Sequence, residues 1–300
     1  MRYCLPAVLL FCCFYFPTAA QTLYLDSTYS DLKISTHRYD PAGTELNNFD
    51  YYRAVDAKGK LPLIVFVHGG GFAGGARDDE EVVGFVSQLA HRGYAVASVS
   101  YRLTMKDIGF GCDVPAAQKI QAINTASDEI GTAIRYILDH ESDFEIDADK
   151  VVIAGSSAGA EVVLNLAYVY KTEALSPNFR FAGVIGIAGA IISTDQINSD
   201  TAIPTQLFHG TGDELVPYHI APHHYCDKVN PGYMILHGSR AIADRLRGLG
   251  ASYYLYTVTA GSHEWATLPM IQCIAEVSDF LYHDVLQRKG SRQTERTLTY

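Results

Sequence analysis

The segment VIAGSSAG, residues 152–159, predicts a buried strand that runs directly into a helix. Gly155 and Gly159 stand two residues before and two residues after Ser157. A tight turn between strand and helix needs glycine at both places, because a side chain there would clash. Such a turn raises the hydroxyl of Ser157 above the edge of a sheet. We therefore take Ser157 as a candidate nucleophile.

Strand and helix patterns alternate on both sides of this segment. Apolar, β-branched runs predict buried strands, and apolar residues at helical spacing predict the helices between them. We predict strands at 63–67, 96–101, 151–154, 182–188, 205–208 and 253–258, short edge strands near 32–34 and 51–54, and helices within 78–93 and at 115–139, 158–170, 240–249 and 265–286. This alternation indicates an α/β fold with a mostly parallel sheet and helices on both faces.

A second motif, HGGG at residues 68–71, follows the strand predicted at 63–67. Backbone N–H groups that glycines leave uncovered can point at the negative charge that an acyl-transfer transition state places on the carbonyl oxygen. Gly70 and Gly71 are the expected donors, together with Ala158, which follows the candidate nucleophile. A phosphate-binding loop is the alternative, but the GK[ST] sequence that would complete one is absent.

A serine nucleophile needs a base, and the base needs an acid that orients it. Asp213 comes just after the strand at 205–208, at the same predicted sheet edge as Ser157, and Glu214 is its rival. His263 lies in the loop after the next strand and is the predicted base. His68 is expected to organise the glycine loop. The remaining nearby histidines are predicted to be surface or structural residues: His209, His219, His223, His224 and His237.

The order Ser157, Asp213, His263, combined with HGGG, Tyr101-Arg102-Leu103 and the D-x-x-V-P segment at 213–217, resembles the carboxylesterase and lipase branch of the α/β-hydrolase superfamily. The resemblance covers most of residues 61–286. It implies the α/β-hydrolase fold with an eight-stranded, mostly parallel sheet, an acyl-enzyme mechanism, and no metal or cofactor. It places the triad on Ser157, Asp213 and His263 and the oxyanion donors on Gly70, Gly71 and Ala158.

Two features depart from the pattern of this superfamily. Ala160 stands where many relatives of the hormone-sensitive-lipase type have a second glycine, and the amino-terminal segment lacks the helices that form their cap. An open site follows, which favours short acyl groups or esters on large soluble molecules. A lidded triglyceride lipase is disfavoured.

The first twenty residues are typical of a signal peptide, with one charge at Arg2, an apolar run and small residues at 18–20. An uncleaved anchor is the alternative, but the run is shorter than the roughly 20 residues that span a bilayer; lipid attachment at Cys12 is weaker because Phe11 precedes it. We therefore expect an exported protein, secreted or periplasmic. It would comprise a signal peptide at 1–20, a single catalytic domain at 21–287 and a polar, mobile tail at 288–300.

Three cysteines remain after the predicted cleavage: Cys112, Cys226 and Cys273. They allow three pairings in a compartment that permits disulfides, and the sequence does not choose among them. The long loops at 104–114 and 218–236 either shape a substrate pocket or are uninvolved surface excursions that a disulfide could tie. No spacing typical of a zinc site accompanies the cysteines.

The formal charge of −10 and the lack of any basic run make nucleic acid a poor partner. The expected partner is a small-molecule or carbohydrate ester, acetylated, feruloylated or short-chain, bound without a cofactor and without stable insertion into a membrane. Two other classes stay open. One is a serine peptidase on the same fold, and the other is a silent binding protein on this scaffold.

Overall fold

A computed structural model describes residues 22–40, 42–43 and 46–299 of the chain. The signal-peptide prediction therefore falls outside the described residues. Strands of the main sheet are β1 (Leu32–Arg38), β2 (Asn48–Ala54), β3 (Leu61–Val67), β4 (Ala95–Val99), β5 (Ile146–Ser156), β6 (Gly183–Ile187), β8 (Thr205–Gly210), β11 (Tyr253–Val258) and β12 (Gln293–Leu298). Three short strands form a second sheet: β7 (Ala190–Ile191), β9 (Ile220–Pro222) and β10 (Ile235–Gly238).

Helices connect most of these strands. They are α1 (Glu80–Ala90), α2 (Ala116–Asp139), α3 (Glu141–Phe144), α4 (Ala158–Leu164), α5 (Ser239–Gly248), α6 (Leu268–Gln272) and α7 (Ile274–Phe280). A π-helical turn, Asn165–Val169, extends α4, and another, Leu281–Gln287, extends α7. The single helix predicted at 265–286 is thus divided, with breaks at Thr267 and Cys273.

The main sheet has the order β1-β2-β4-β3-β5-β6-β8-β11-β12 within the described residues. β1 and β2 are antiparallel to their neighbours, and every pair from β4 to β12 is parallel. The prediction of a mostly parallel sheet with helices is confirmed. Its predicted count of eight strands is one too few, because the tail adds β12.

The prediction of a mobile tail at 288–300 is also corrected by β12, which lies within that segment. Residues 293–298 pair in parallel with the whole of β11, from Tyr253 opposite Gln293 to Val258 opposite Leu298. The strand buries little side-chain surface, which is why its polar sequence indicated no order. Its backbone instead fills the free edge of β11, whose N–H and C=O groups would otherwise need solvent.

Two apolar layers cover the two faces of the sheet. Leu63, Val65 and Val67 of β3 belong to one cluster with residues of α2, α4 and α5, whereas Ile64 and Phe66 belong to the other with residues of α1 and α7. Successive side chains of a strand point to opposite faces, so a strand covered on both sides is apolar throughout. This explains why β3 reads as an unbroken hydrophobic run.

Candidate active site

Ser157 occupies the single residue between β5 and α4, with φ 51° and ψ −122°. This backbone conformation is strained for a residue with a side chain. A β-carbon on Gly155 would lie 2.4 Å from the carbonyl oxygen of Gly159, and one on Gly159 would lie 2.1 Å from that of Val67. The two glycines therefore let α4 start directly against β3 and β5, with Ser157 at the apex of the turn.

The three side chains predicted as a triad lie in one hydrogen-bonded relay. Ser157 Oγ is 2.8 Å from His263 Nε2, and His263 Nδ1 is 2.7 Å from Asp213 Oδ2. Glu214, the rival acid, is exposed and takes no part in this relay. The geometry allows the imidazole to accept a proton from the serine while the carboxylate holds its opposite nitrogen.

Contacts between two loops bring the acid and the base together. Gly212 N donates to Gly261 O at 2.9 Å, and Ala260 N donates to Thr211 Oγ1 at 2.8 Å. A β-carbon on Gly210 would lie 2.1 Å from Gly261 O, so only glycine permits this close approach. The loops that follow β8 and β11 thereby act as one support for Asp213 and His263.

Asp213 is 1% exposed, and its carboxylate is almost fully hydrogen-bonded. Oδ1 accepts from the backbone N–H groups of Leu215 and Val216, both at 2.9 Å. Burial by itself raises the pKa of Asp213, but hydrogen bonds from His209 and His263 outweigh burial and hold that pKa well below its usual range. The carboxylate is therefore ionised beside His263 at neutral pH.

The predicted oxyanion donors lie around the same serine. Gly70, Gly71 and Ala158 line the cavity that holds Ser157, and in the described part of the chain their N–H groups have no hydrogen-bond acceptor. Gly70 and Gly71 have φ values of 108° and 60°, which favour glycine. His68 stacks on the ring of Tyr101 with centroids 4.5 Å apart, and its Nδ1 lies 2.8 Å from Gly69 O. His68 thus braces the loop and stays outside the relay.

A cavity of about 450 Å³ opens at Ser157. Besides the glycine loop and the relay, its lining includes the start of α1, Phe110, Glu161, Thr267, Met270 and residues 215–216 and 223–224. Among the described residues, no group of three or more His, Cys, Asp or Glu side chains is arranged to hold a metal ion. No described helix combines the length and the apolar character needed to cross a bilayer.

A disulfide between Cys112 and Cys226 joins the two long loops, and Cys273 is free and buried. This pairing decides among the three that the sequence allowed. Phe110 and His224, two residues from the respective cysteines, both line the cavity. The interpretation of the two loops as uninvolved surface excursions is therefore wrong, because both form part of the cavity wall, although a disulfide does tie them.

Sequence reasoning missed several residues of this site. Glu161 lines the cavity, and its only signal was a carboxylate within the otherwise apolar helix AGAEVVL, residues 158–164. His223 and His224 also line it, with no local pattern to distinguish them from the other histidines. His209 has the structural role that was one of its two expected ones, since it is fully buried, with Nδ1 2.8 Å from Ser239 Oγ and Nε2 3.4 Å from Asp213 Oδ2.

Comparisons with known proteins identify the family of this chain. The family model BD-FAE matches residues 49–243. Esterase LipQ of Mycobacterium tuberculosis is 26% identical over 87% of this chain and 65% of its own length. Probable carboxylesterase 3 of Arabidopsis thaliana is 29% identical over 43% of this chain and 38% of its own length. This chain spans only 24% to 38% of the length of the first three curated relatives that it matches.

Solved structures share the fold at low sequence identity. A truncated carbohydrate esterase from gut microbiota superposes with a TM-score of 0.60 and 15% identity, covering 86% of this chain and 97% of that one. Native esterase 2 of Thermogutta terrifontis gives a TM-score of 0.59 and 17% identity, covering 85% of this chain and 95% of its own. These matches identify the α/β-hydrolase fold.

Proposed function

Because this chain belongs to the BD-FAE family, within the α/β-hydrolase esterases and lipases, we propose that it is a serine carboxylesterase that works through an acyl-enzyme intermediate. The observation that carries the proposal is the relay from Ser157 through His263 to Asp213, with distances of 2.8 and 2.7 Å. A serine is a weak nucleophile unless a base removes its proton, and this relay supplies an oriented base.

In the proposed cycle, Ser157 Oγ attacks the ester carbonyl while His263 Nε2 takes its proton. The negative charge that forms on the carbonyl oxygen is stabilised by the N–H groups of Gly70, Gly71 and Ala158. His263 then protonates the departing alcohol, and Asp213 stabilises the imidazolium throughout. Water, activated by the same histidine, attacks the acyl-enzyme and releases the acid. No metal or organic cofactor is needed for any step.

The substrates that we propose are esters with short or aromatic acyl groups, including acetyl or feruloyl esters of carbohydrates. A cavity of about 450 Å³ is large enough for a small ester. Solved structures of the Thermogutta terrifontis esterase 2 bear propionate or butyrate, and the gut-microbiota relative is described as a carbohydrate esterase. We also propose that residues 1–20 act as a signal peptide for export and that a single catalytic domain follows them.

The test is hydrolysis of p-nitrophenyl esters of increasing acyl length, methyl ferulate, acetylated xylan and an aminoacyl anilide by residues 21–300. We expect ester turnover that Ser157→Ala removes almost entirely, because the residual rate would come from binding and the oxyanion site alone. The matched control is Ser87→Ala, a serine on α1 that does not line the cavity.

Each outcome distinguishes the function classes. Turnover of esters that depends on Ser157 supports the assignment as an esterase. The acyl group that is cleaved fastest then shows which acyl length the cavity accepts best. Cleavage of the anilide alone would replace the esterase by a peptidase. Equal rates for the unmodified protein and Ser157→Ala on every substrate would leave the silent binding scaffold as the remaining interpretation.

A further inference from the structure

Three polar side chains in the wall of the catalytic cavity have no part in the proposed cycle. Glu161, His223 and His224 line the same cavity as Ser157, and we call them the polar wall. Glu161 is 2% exposed and His223 is 1% exposed. Burial of polar groups costs free energy unless they are hydrogen-bonded, so their bonding partners matter.

Glu161 is placed beside the nucleophile by the helix itself. It follows Ser157 by four residues at the start of α4, and residues four apart lie on the same side of a helix. Its Oε1 has no hydrogen-bond partner in the described chain, and the ring nitrogen His223 Nε2 lies 3.5 Å from it. Lys119, also buried, directs Nζ towards Gly232 O at 3.5 Å and does not line the cavity.

The two histidines come from a segment that the disulfide holds against Glu161. His223 Nδ1 has no hydrogen-bond partner among the described residues. The ring of His223 lies 4.3 Å from that of His224 and 5.2 Å from that of Phe110, between centroids. His224 has a φ of 52°, a strained value for a residue with a side chain, and it lies two residues before the disulfide-bonded Cys226.

Burial decides the charge of the polar wall. It raises the pKa of Glu161 to about 8, and it lowers the pKa of His223 to about 2 and that of His224 to about 4. At neutral pH the wall is therefore largely uncharged. A protonated carboxyl and a neutral imidazole each offer one donor and at least one acceptor. A hydroxyl group matches this pattern, whereas an alkyl chain would leave the buried groups unpaired.

We propose that Glu161 and His223 form a subsite that binds a hydroxyl group of the substrate, so that the protein selects hydroxyl-bearing esters over their deoxy analogues. This inference rests on the proposed ester hydrolysis. A site built to hydrogen-bond a hydroxyl discriminates strongly against an analogue that lacks it, because its own buried groups are then left without a partner. Both residues act on substrate choice and leave the relay unchanged.

Two pairs of substrates test the proposal, one for each side of the ester bond. Methyl 3-(4-hydroxyphenyl)propanoate and methyl 3-phenylpropanoate differ by a hydroxyl in the acyl part, and trans-4-hydroxycyclohexyl acetate and cyclohexyl acetate differ by one in the alcohol. In one of the pairs, we expect kcat/KM to favour the hydroxyl-bearing ester by at least about 10-fold. The pair that shows the preference identifies the part of the substrate that reaches Glu161.

Substitutions assign the preference to the subsite. Glu161→Met should reduce it to within about threefold, whereas Glu161→Gln, whose amide still donates and accepts, should retain most of it. His223→Phe repeats the test on a residue outside α4. Glu173→Met is the matched control, because Glu173 is exposed and does not line this cavity, and it should leave the preference unchanged.

Hydrolysis of p-nitrophenyl acetate by the same proteins separates the two proposals. If that ester is cleaved in a Ser157-dependent manner but neither pair shows a preference, the hydroxyl subsite is wrong and the esterase stands. A preference that persists in both Glu161→Met and His223→Phe would also overturn the subsite. If the protein cleaves no ester at all, the proposed function fails and the inference fails with it.

Discussion

Asp213 is the residue whose surroundings are most completely defined. One carboxylate oxygen accepts from two backbone N–H groups, those of Leu215 and Val216, and the other faces His263 and His209. These bonds do two things at once. They keep the group ionised, and they fix the direction from which it accepts the hydrogen bond of His263 Nδ1–H.

Replacing Asp213 by asparagine should lower kcat for ester hydrolysis by about 10³–10⁴-fold. The amide keeps the volume but removes the charge that stabilises the imidazolium, and it allows the wrong tautomer of His263. Steady-state kinetics on p-nitrophenyl acetate provide the measurement. Glu214→Gln, a neighbouring exposed carboxylate, should stay within about twofold; a large loss there instead would assign the acid to Glu214.

Glu161 also makes a prediction about stability and pH. Its pKa in the folded protein, about 8, lies above the ordinary 4.5. The stability that it contributes is fully present below pH 4.5 and is lost as the pH rises from there through 8. Between the two values the unfolded state has released a proton that the folded state still holds, so a rising pH favours unfolding. Glu161→Gln does not titrate and should gain stability relative to the unmodified protein as the pH rises.

Urea unfolding at pH 5 and pH 8 measures this difference. The free energy of unfolding of Glu161→Gln minus that of the unmodified protein should increase between the two pH values by on the order of 3 kcal/mol. For Glu173→Gln, an exposed carboxylate, the difference should not depend on pH. A constant difference for Glu161→Gln would mean that Glu161 is ionised in the folded protein at both pH values.

At the level of elements, the turn between β5 and α4 depends on close packing against β3. The amino-terminal end of α4 approaches the carbonyl groups of Val67 and His68 so closely that position 159 has no room for a side chain. The same approach places Ala158 N next to the glycine loop that follows β3. Position 159 therefore serves both the fold and the proposed oxyanion site.

Gly159→Ala should destabilise the protein by more than about 3 kcal/mol or prevent folding, because its β-carbon would lie 2.1 Å from Val67 O in a backbone that cannot yield cheaply. Gly84→Ala is the opposite control. It lies inside α1 with no atom within 4 Å of the added carbon, and it should stabilise by about 0.5–1 kcal/mol. Urea unfolding compares the two; equal stability in both variants would contradict the packing argument.

For the whole molecule, β12 closes one edge of the sheet. Its backbone joins both ends of β11, since Tyr253 N donates to Arg292 O and Thr259 N donates to Leu298 O, both at 2.9 Å. Arg292 also reaches Asp279 at 2.8 Å, and Asp284, whose burial raises its pKa to about 6, at 3.4 Å. The tail therefore pairs with the edge of β11, and its Arg292 places a positive charge beside the buried carboxylate of Asp284.

Ending the chain at Gly290 should lower the melting temperature by about 4–8 °C, which corresponds to roughly 2 kcal/mol for a protein of this size. Ester turnover at 25 °C should stay within about threefold, because the contacts of Thr211 and Gly212 still hold the loop that carries His263. Thermal unfolding followed by circular dichroism provides the measurement. A chain that lacks only Tyr300 serves as the control, and an equal melting temperature for both would show that β12 contributes nothing.

Local patterns in the sequence predict much of this protein. Buried strands such as β3 and β5 read as apolar runs, helices such as α2 show their own periodicity, and glycine at 155 and 159 marks the turn at Ser157. These signals lie within a few residues of the structure that they predict. The positions of Ser157, Asp213 and His263, each soon after a predicted strand, then indicated one sheet edge, because parallel strands place their carboxyl ends together.

The three-dimensional packing alone decided the rest, since it joins residues that are distant in the chain. Nothing near Glu161 indicates that His223 will lie 3.5 Å away, or that Cys112 pairs with Cys226 while Cys273 stays buried and free. The polar tail forms a strand only because β11 offers an unpaired edge. Glycine motifs and hydrophobic periodicity are properties of a short segment. The pairing of cysteines and strands, the burial of a side chain and its pKa depend instead on which distant residues lie next to it in the folded chain.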